Sequence, residues 1–297
     1  MTTFAHDTAA VEQPGTPTTT RRPPVRARRL SRTARYVLLI LFLLVVLIPA
    51  YVLLVTSFKG PGDASPTRAW LLPQEWSLDG WARAWETLAP SLARTFALVI
   101  PSSLVSALLG SMNGFVLARW RFPYADVVFT LILFGMFIPY QAVMIPLVQL
   151  MQGIGVPSGI PSLFVLHVVY GLPICTLIFR NYYASIPEDV VEAARVDGAG
   201  MLRTYWSIVL PVSAPGFVVT IIWQFTSAWN DYLFAIFFSN AQNGPVTIGL
   251  NFLASGQLQN YSASMAGALI ASLPTLIVYI VLGRWFVGGL MAGSVKS

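Results

Sequence analysis

Two kinds of residue in this chain have types and spacings that could do chemistry. The first kind is polar and lies in or at the end of long apolar runs. Gln224, Ser227 and Asp231 recur at i, i+3 and i+7, so a helix places them on one face. Ser103, Ser106, Gly110 and Asn113 recur at i, i+3, i+7 and i+10. Such groups offer hydrogen bonds to a passing solute or to a neighbouring helix, and no covalent step. Small and weakly polar residues commonly serve helix packing in membranes, so packing is the favoured role of the second stripe. The Gln224 stripe is balanced between the two roles, because an unpaired amide is costly in lipid. The second kind is a charged island between two apolar runs: Glu192-Ala193-Ala194-x-x-x-Gly198, then Ile208-x-Leu210-Pro211.

Other chemistry lacks residues. There is no Gly-x-x-x-x-Gly-Lys-Ser/Thr loop to cradle ATP phosphates, no Gly-x-Ser-x-Gly elbow and no His-Glu-x-x-His pair. Cys175 is the only cysteine, so no intramolecular disulfide forms. His6 and His167 lie far apart, one in a polar tail and one in an apolar run, and suggest no shared site. Catalysis and metal binding are therefore not expected. The apolar runs hold no Asp, Glu, Lys or Arg well inside them, unlike most ion-coupled carriers. Energy is expected from outside the chain. A secondary carrier for a small metabolite is the alternative.

The island reads as a helix–turn–helix. Ser185-x-x-Glu188 has the capping-box pattern, with Pro187 in the first turn. A helix over Asp189–Val196 should offer Val190, Val191, Ala193 and Ala194 as a close-approach surface, with Glu192 as a charged handle. Gly198 and Gly200 should break it. A second helix over Met201–Ile208 should lead to Pro211, which ends or kinks it.

The elements that carry these residues follow from composition. The chain has 297 residues, 56% hydrophobic and 10% charged. Its mean hydropathy is +0.67. Soluble domains carry about 25% charged residues, so the solvent here is lipid. Residues 1–35 read as a disordered basic tail, with arginines at 21, 22, 26, 28, 29, 32 and 35. That tail leads straight into the apolar Tyr36–Phe58, so cytoplasmic retention explains it better than nucleic-acid binding. The segment is too long for a signal-peptide core and should stay as an anchor. Residues 59–94 form an external loop, in which Trp81, Trp85 and Leu88 mark one face of a short interfacial helix.

Further spans are expected at Thr95–Ala118, twice within Val127–Phe179 around a break at 152–159, at Val212–Asn230 and at Met265–Leu282. With the N-terminus inside, fourteen of the eighteen Lys and Arg residues fall on cytoplasmic segments. The expectation is an all-α membrane protein with six transmembrane helices. Residues 95–290 form a five-helix core with a cytoplasmic loop at 180–211, and 291–297 form a cytoplasmic tail. Both termini lie inside.

The island resembles, at every fixed position, the EAA signature of permease subunits in binding-protein-dependent ABC importers. The resemblance extends along most of the chain. Val116-Leu117-Ala118-Arg119-Trp120-Arg121-Phe122-Pro123, Asn181-Tyr182-Tyr183, Trp229-Asn230-Asp231 and the ending Gly289-Leu290-Met291-Ala292-Gly293-Ser294-Val295-Lys296 are similar to sugar-importing permeases of the second maltose subunit type. Tracts around Phe137–Gln141 and His167–Pro173 lean toward glucose/mannose-type permeases.

The resemblance implies a type I ABC importer permease core that translocates a mono- or oligosaccharide across the cytoplasmic membrane. It implies a second homologous permease, an ATPase dimer that uses ATP and Mg, and an extracytoplasmic sugar-binding protein. This chain itself would bind no cofactor. Coupling to the ATPase would fall to Glu192, Ala193, Ala194, Arg195, Asp197, Gly198, Ile208, Leu210 and Pro211, with Gly293, Val295 and Lys296 reaching the ATPase interface. Asn113, Tyr140, Gln141, Gln224, Ser227, Asn230 and Asp231 are the candidate pathway residues. Related maltose permeases hold sugar mainly on the other permease subunit.

Overall fold

The structure, a computed structural model, describes residues 32–120, 122–255 and 260–292. The remaining arginines of the basic tail, Arg121 of the Arg119–Pro123 tract, and Gly293, Val295 and Lys296 lie outside these residues. Among the described residues every regular element is a helix, apart from one isolated bridge between Lys59 and Trp76. The chain divides at Leu47/Ile48 into two compact units. Helix α1 covers Arg32–Ser57, beginning four residues before the apolar run. Its side chains from Tyr36 to Leu47 are exposed and apolar, as suits lipid.

The second unit is built around α2 (Asp79–Arg119) and α5 (Ile160–Ser185). The 41 residues of α2 make a rod about 60 Å long at 1.5 Å per residue. The expected external loop therefore ends at Leu78, and its Trp81/Trp85 face belongs to α2 rather than to a separate helix. Leu88, on the same face, is fully buried in the core while Trp85 is exposed. Small residues let α2 and α5 approach closely. A Cβ on Gly110 would sit 2.3 Å from the Cβ of Cys175, and one on Gly114 would sit 2.7 Å from the backbone of Arg180. Ser103 and Ser106 are buried along the same stripe, as suits packing, whereas Asn113 at its end is exposed.

The third crossing is broken. Helices α3 (Ala125–Phe134) and α4 (Met144–Gly153), with short 3-10 turns between them, bend by 83° near Ile138-Pro139. The turn before α5 falls where expected, with Gly155 and Gly159 at positive φ. After α5 come α6 (Glu188–Val196), α7 (Met201–Thr204), a π-turn (Tyr205–Val209) and α8 (Leu210–Val212). The chain then bends by 78° into α9 (Ala214–Trp229). Helices α10 (Leu233–Phe238), α11 (Val246–Ser255) and α12 (Tyr261–Ala292) complete the order. Among the described residues, α1, α2, α5 and α12 are long and apolar enough to cross a membrane, and the two bent pairs bring the number to six if each is one crossing.

Two apolar cores lie toward opposite ends of α2. One gathers Leu88, Leu98, Met144, Leu163, Leu166, Trp229 and Phe234, and the other Ala107, Phe115, Phe179, Tyr183, Tyr205 and Val209. Each core underlies one candidate site.

Candidate functional site

At the α10 end, a cavity of about 530 Å³ opens between α5, α9, α10 and the turns that join α3 to α4. Five sequence candidates line it: Tyr140, Gln224, Ser227, Asn230 and Asp231. The bend at Ile138-Pro139 brings Tyr140 back toward α5, where its ring lies 6.4 Å from Tyr170 and 5.2 Å from Phe234. Asp231 follows the last residues of α9. Its two carboxylate oxygens accept the N–H groups of Phe234 and Ala235 at 3.3 Å, which caps α10 and fixes the Phe234 ring against Tyr170 at 5.1 Å.

His167 corrects the sequence reading. It is not incidental: its Nε2 lies 3.7 Å from Asp231 Oδ2 inside the cavity, too far for a direct hydrogen bond. Its backbone carbonyl accepts Gln224 Nε2 at 2.8 Å and Ser106 Oγ at 3.4 Å, so one turn of α5 is tied to both α9 and α2. Gln224 reaches it by crossing Gly171, where a Cβ would sit 2.5 Å from the Gln224 amide. Gln224 is thus a strut as well as a lining residue. Asn113 and Gln141 are exposed and outside the cavity wall. His167 and Tyr170, which join that wall, carried a helical i, i+3 spacing in the sequence but no partner to reveal them.

At the opposite end, α6 and the segment after it form a compact knob. The expected capping box is absent. Ser185 Oγ donates to Tyr182 O, so the hydroxyl stays on α5 and Pro187 becomes the N-cap. Glu188 and Asp189 occupy the first turn and Arg195 the last, each favoured by the helix dipole. The C-terminal end is a Schellman turn: Gly198 N–H bonds Arg195 O at 3.0 Å and Ala199 N–H bonds Ala194 O at 2.9 Å, with Gly198 at φ +75°. Val191 and Ala194 point inward, whereas Glu192, Ala193 and Val196 are exposed. Ala194 therefore packs within the chain and does not widen an outer face as expected. Arg195 Nη2 donates to Arg119 O at 3.0 Å, and its guanidinium lies 5.0 Å over Trp120. Arg119 in turn donates to the carbonyls of Tyr183 and Ile186 at the end of α5.

Behind the knob, four buried hydroxyls on four elements are linked. Ser111 of α2 bonds Tyr183 of α5 at 2.5 Å and Tyr205 of the π-turn at 2.9 Å, and Ser213 at the 78° bend donates to Tyr183 Oη at 2.9 Å. Ile208 and Leu210 are half-buried and Pro211 exposed along this return path. In the π-turn, Leu210 N–H reaches back to Tyr205 O, and Pro211 adds no donor.

Residues 106–288 match the binding-protein-dependent transport system inner membrane component family. The chain belongs to that family. The permease is 42% identical over 186 residues to a probable ABC transporter permease protein of Pyrococcus horikoshii, covering 62% of this chain and 68% of the relative. It is 33% identical to the xylose/arabinose import permease protein XacI of Haloferax volcanii, covering 88% and 92%. A bacterial ABC transporter that imports the acidic polysaccharide alginate has a chain of the same fold, with TM-score 0.71, 22% identity and coverage of 86% and 99%. The permease is therefore a multi-pass membrane subunit without catalytic chemistry of its own. The family match includes the cavity, the hydroxyl cluster and the knob together.

Proposed function

We propose that this permease is one translocation subunit of an ATP-driven importer for a mono- or oligosaccharide. The observation that carries the reading is the knob: a rigid, exposed helical turn around Glu192–Gly198, tied to the ends of α2 and α5 and continuous with α9. A helix so braced moves the spans when it is pushed, rather than bending alone. The names of relatives such as XacI support a sugar as cargo. The outward-lying residues Glu192 and Ala193, with Gly198 shaping the turn, form the contact for a separate ATPase, which binds ATP and Mg itself.

In this reading the knob and both termini face the cytoplasm, in keeping with the lysine and arginine distribution. A second homologous permease completes the pathway, an ATPase pair sits below, and an extracytoplasmic sugar-binding protein delivers cargo to the cavity end. ATP-driven closure rotates the spans as a rigid body between two access states. The test is uptake in cells or proteoliposomes that carry the whole system. ATP depletion with ion gradients preserved should stop sugar uptake. Uptake that continues at the same rate would sink the proposal and favour a secondary carrier.

A further inference from the structure

We infer that the cavity at the α10 end is a subsite of this subunit for a neutral sugar ring, selected by Asp231, His167 and an aromatic wall; this rests on the sugar-import reading above. The wall is the triangle of Tyr140, Tyr170 and Phe234, whose centroids lie 5.1 to 6.4 Å apart. Flat rings of this kind bury the C–H face of a pyranose or furanose, and the two tyrosines add a polar handle.

The polar groups face that wall from two elements. Asp231 spends one acceptor site per oxygen on the α10 N–H groups. A carboxylate has about four such sites, so acceptor capacity remains. His167 Nε2 stands 3.7 Å away without a direct hydrogen bond. Two neighbouring hydroxyls of a sugar ring satisfy both groups at once, one donating to Asp231 and the other meeting the imidazole. Ser227 and Asn230 on the same wall supply further neutral partners.

Charge decides the class of sugar. Among the described residues no Lys or Arg lines the cavity, and Asp231 is the only carboxylate there. A uronate would bring a second negative charge into a half-enclosed site with no cation to meet it, and would lose hydration without replacement. The fold is shared with the alginate importer, but these lining residues exclude an acidic saccharide. A quaternary ammonium would suit the carboxylate and the rings, yet would leave the hydrogen-bonding groups of His167, Ser227 and Asn230 idle.

The experiment uses the complete importer in proteoliposomes with saturating binding protein. It measures ATP-dependent uptake of labelled xylose, arabinose, glucose, melibiose, glucuronate and glycine betaine, together with ATP hydrolysis. The expected result is uptake of at least one neutral sugar and of neither charged compound. Asp231→Asn, which keeps a capping side chain, and Tyr170→Ala should each lower that uptake about tenfold, with ATP hydrolysis and complex assembly unchanged. Uptake within twofold of the unmutated rate in both variants would overturn the subsite and leave sugar import standing. Preferred uptake of glucuronate or betaine would overturn the neutral selection. Absence of uptake of every neutral sugar by the unmutated importer would overturn the import reading itself.

Discussion

The knob end and the cavity end of the permease bury polar groups in different ways. Behind the knob, the hydroxyls of Ser111, Tyr183, Tyr205 and Ser213 satisfy one another across four elements. In the cavity, His167 and Asp231 approach without a direct hydrogen bond, and Ser227 and Asn230 are exposed. A satisfied buried network fixes one arrangement, whereas open polar groups in a recess keep capacity for something that arrives later. The contrast suits the proposed division of labour, with force entering at the knob end and cargo met at the cavity end.

The contrast can be broken or sharpened by mutation. Gly198→Pro should have the largest effect, because proline cannot adopt φ +75° and the Schellman turn would open. ATP-dependent uptake should fall to background while membrane insertion, read by fractionation, stays normal. Glu192→Lys should act the same way through the exposed face. Uptake at the unmutated rate in either variant would remove the docking role from the knob.

Next in size is the double variant Tyr183→Phe/Tyr205→Phe. It strips the phenolic groups from the cluster while keeping both rings, so Ser111 loses both hydroxyl partners, at about 1–3 kcal/mol, while Ser213 keeps Val209 O. Transported sugar per ATP hydrolysed should fall about threefold or more. If the ratio holds while both rates fall together, the cluster supports folding alone.

Gln224→Leu should act at the cavity end only. Losing the bond to His167 O, about 1 kcal/mol or roughly fivefold, should lower uptake and shift preference among sugars, with ATP hydrolysis unchanged. If neither rate nor preference moves, Gln224 is packing. Asn113→Ala should have the smallest effect, within about 0.5 kcal/mol by denaturation and without change in transport, because Asn113 is exposed and outside the cavity.

Legibility in the sequence followed the range of the interaction. The island, its Gly198 turn and the apolar runs were readable because each is local and periodic. The 41-residue α2 was not, because Arg83, Glu86 and Arg94 ended the hydropathy signal where the helix itself continued. The 83° break carried a signal in Pro139, inside a run read as one crossing. The capping box failed because the Ser185 hydroxyl had a nearer acceptor on its own helix, at Tyr182 O. His167 was unreadable as a site residue, since Asp231 meets it across 64 positions of chain.

His167 also separates architecture from choice. Its carbonyl holds three helices together, and any residue supplies a carbonyl. Its imidazole faces the cavity and meets the Phe234 ring of α10 edge-on at 5.8 Å. Position 167 therefore does two separable jobs: its carbonyl ties the bundle with whatever side chain stands there, while the ring alone sets what the cavity presents.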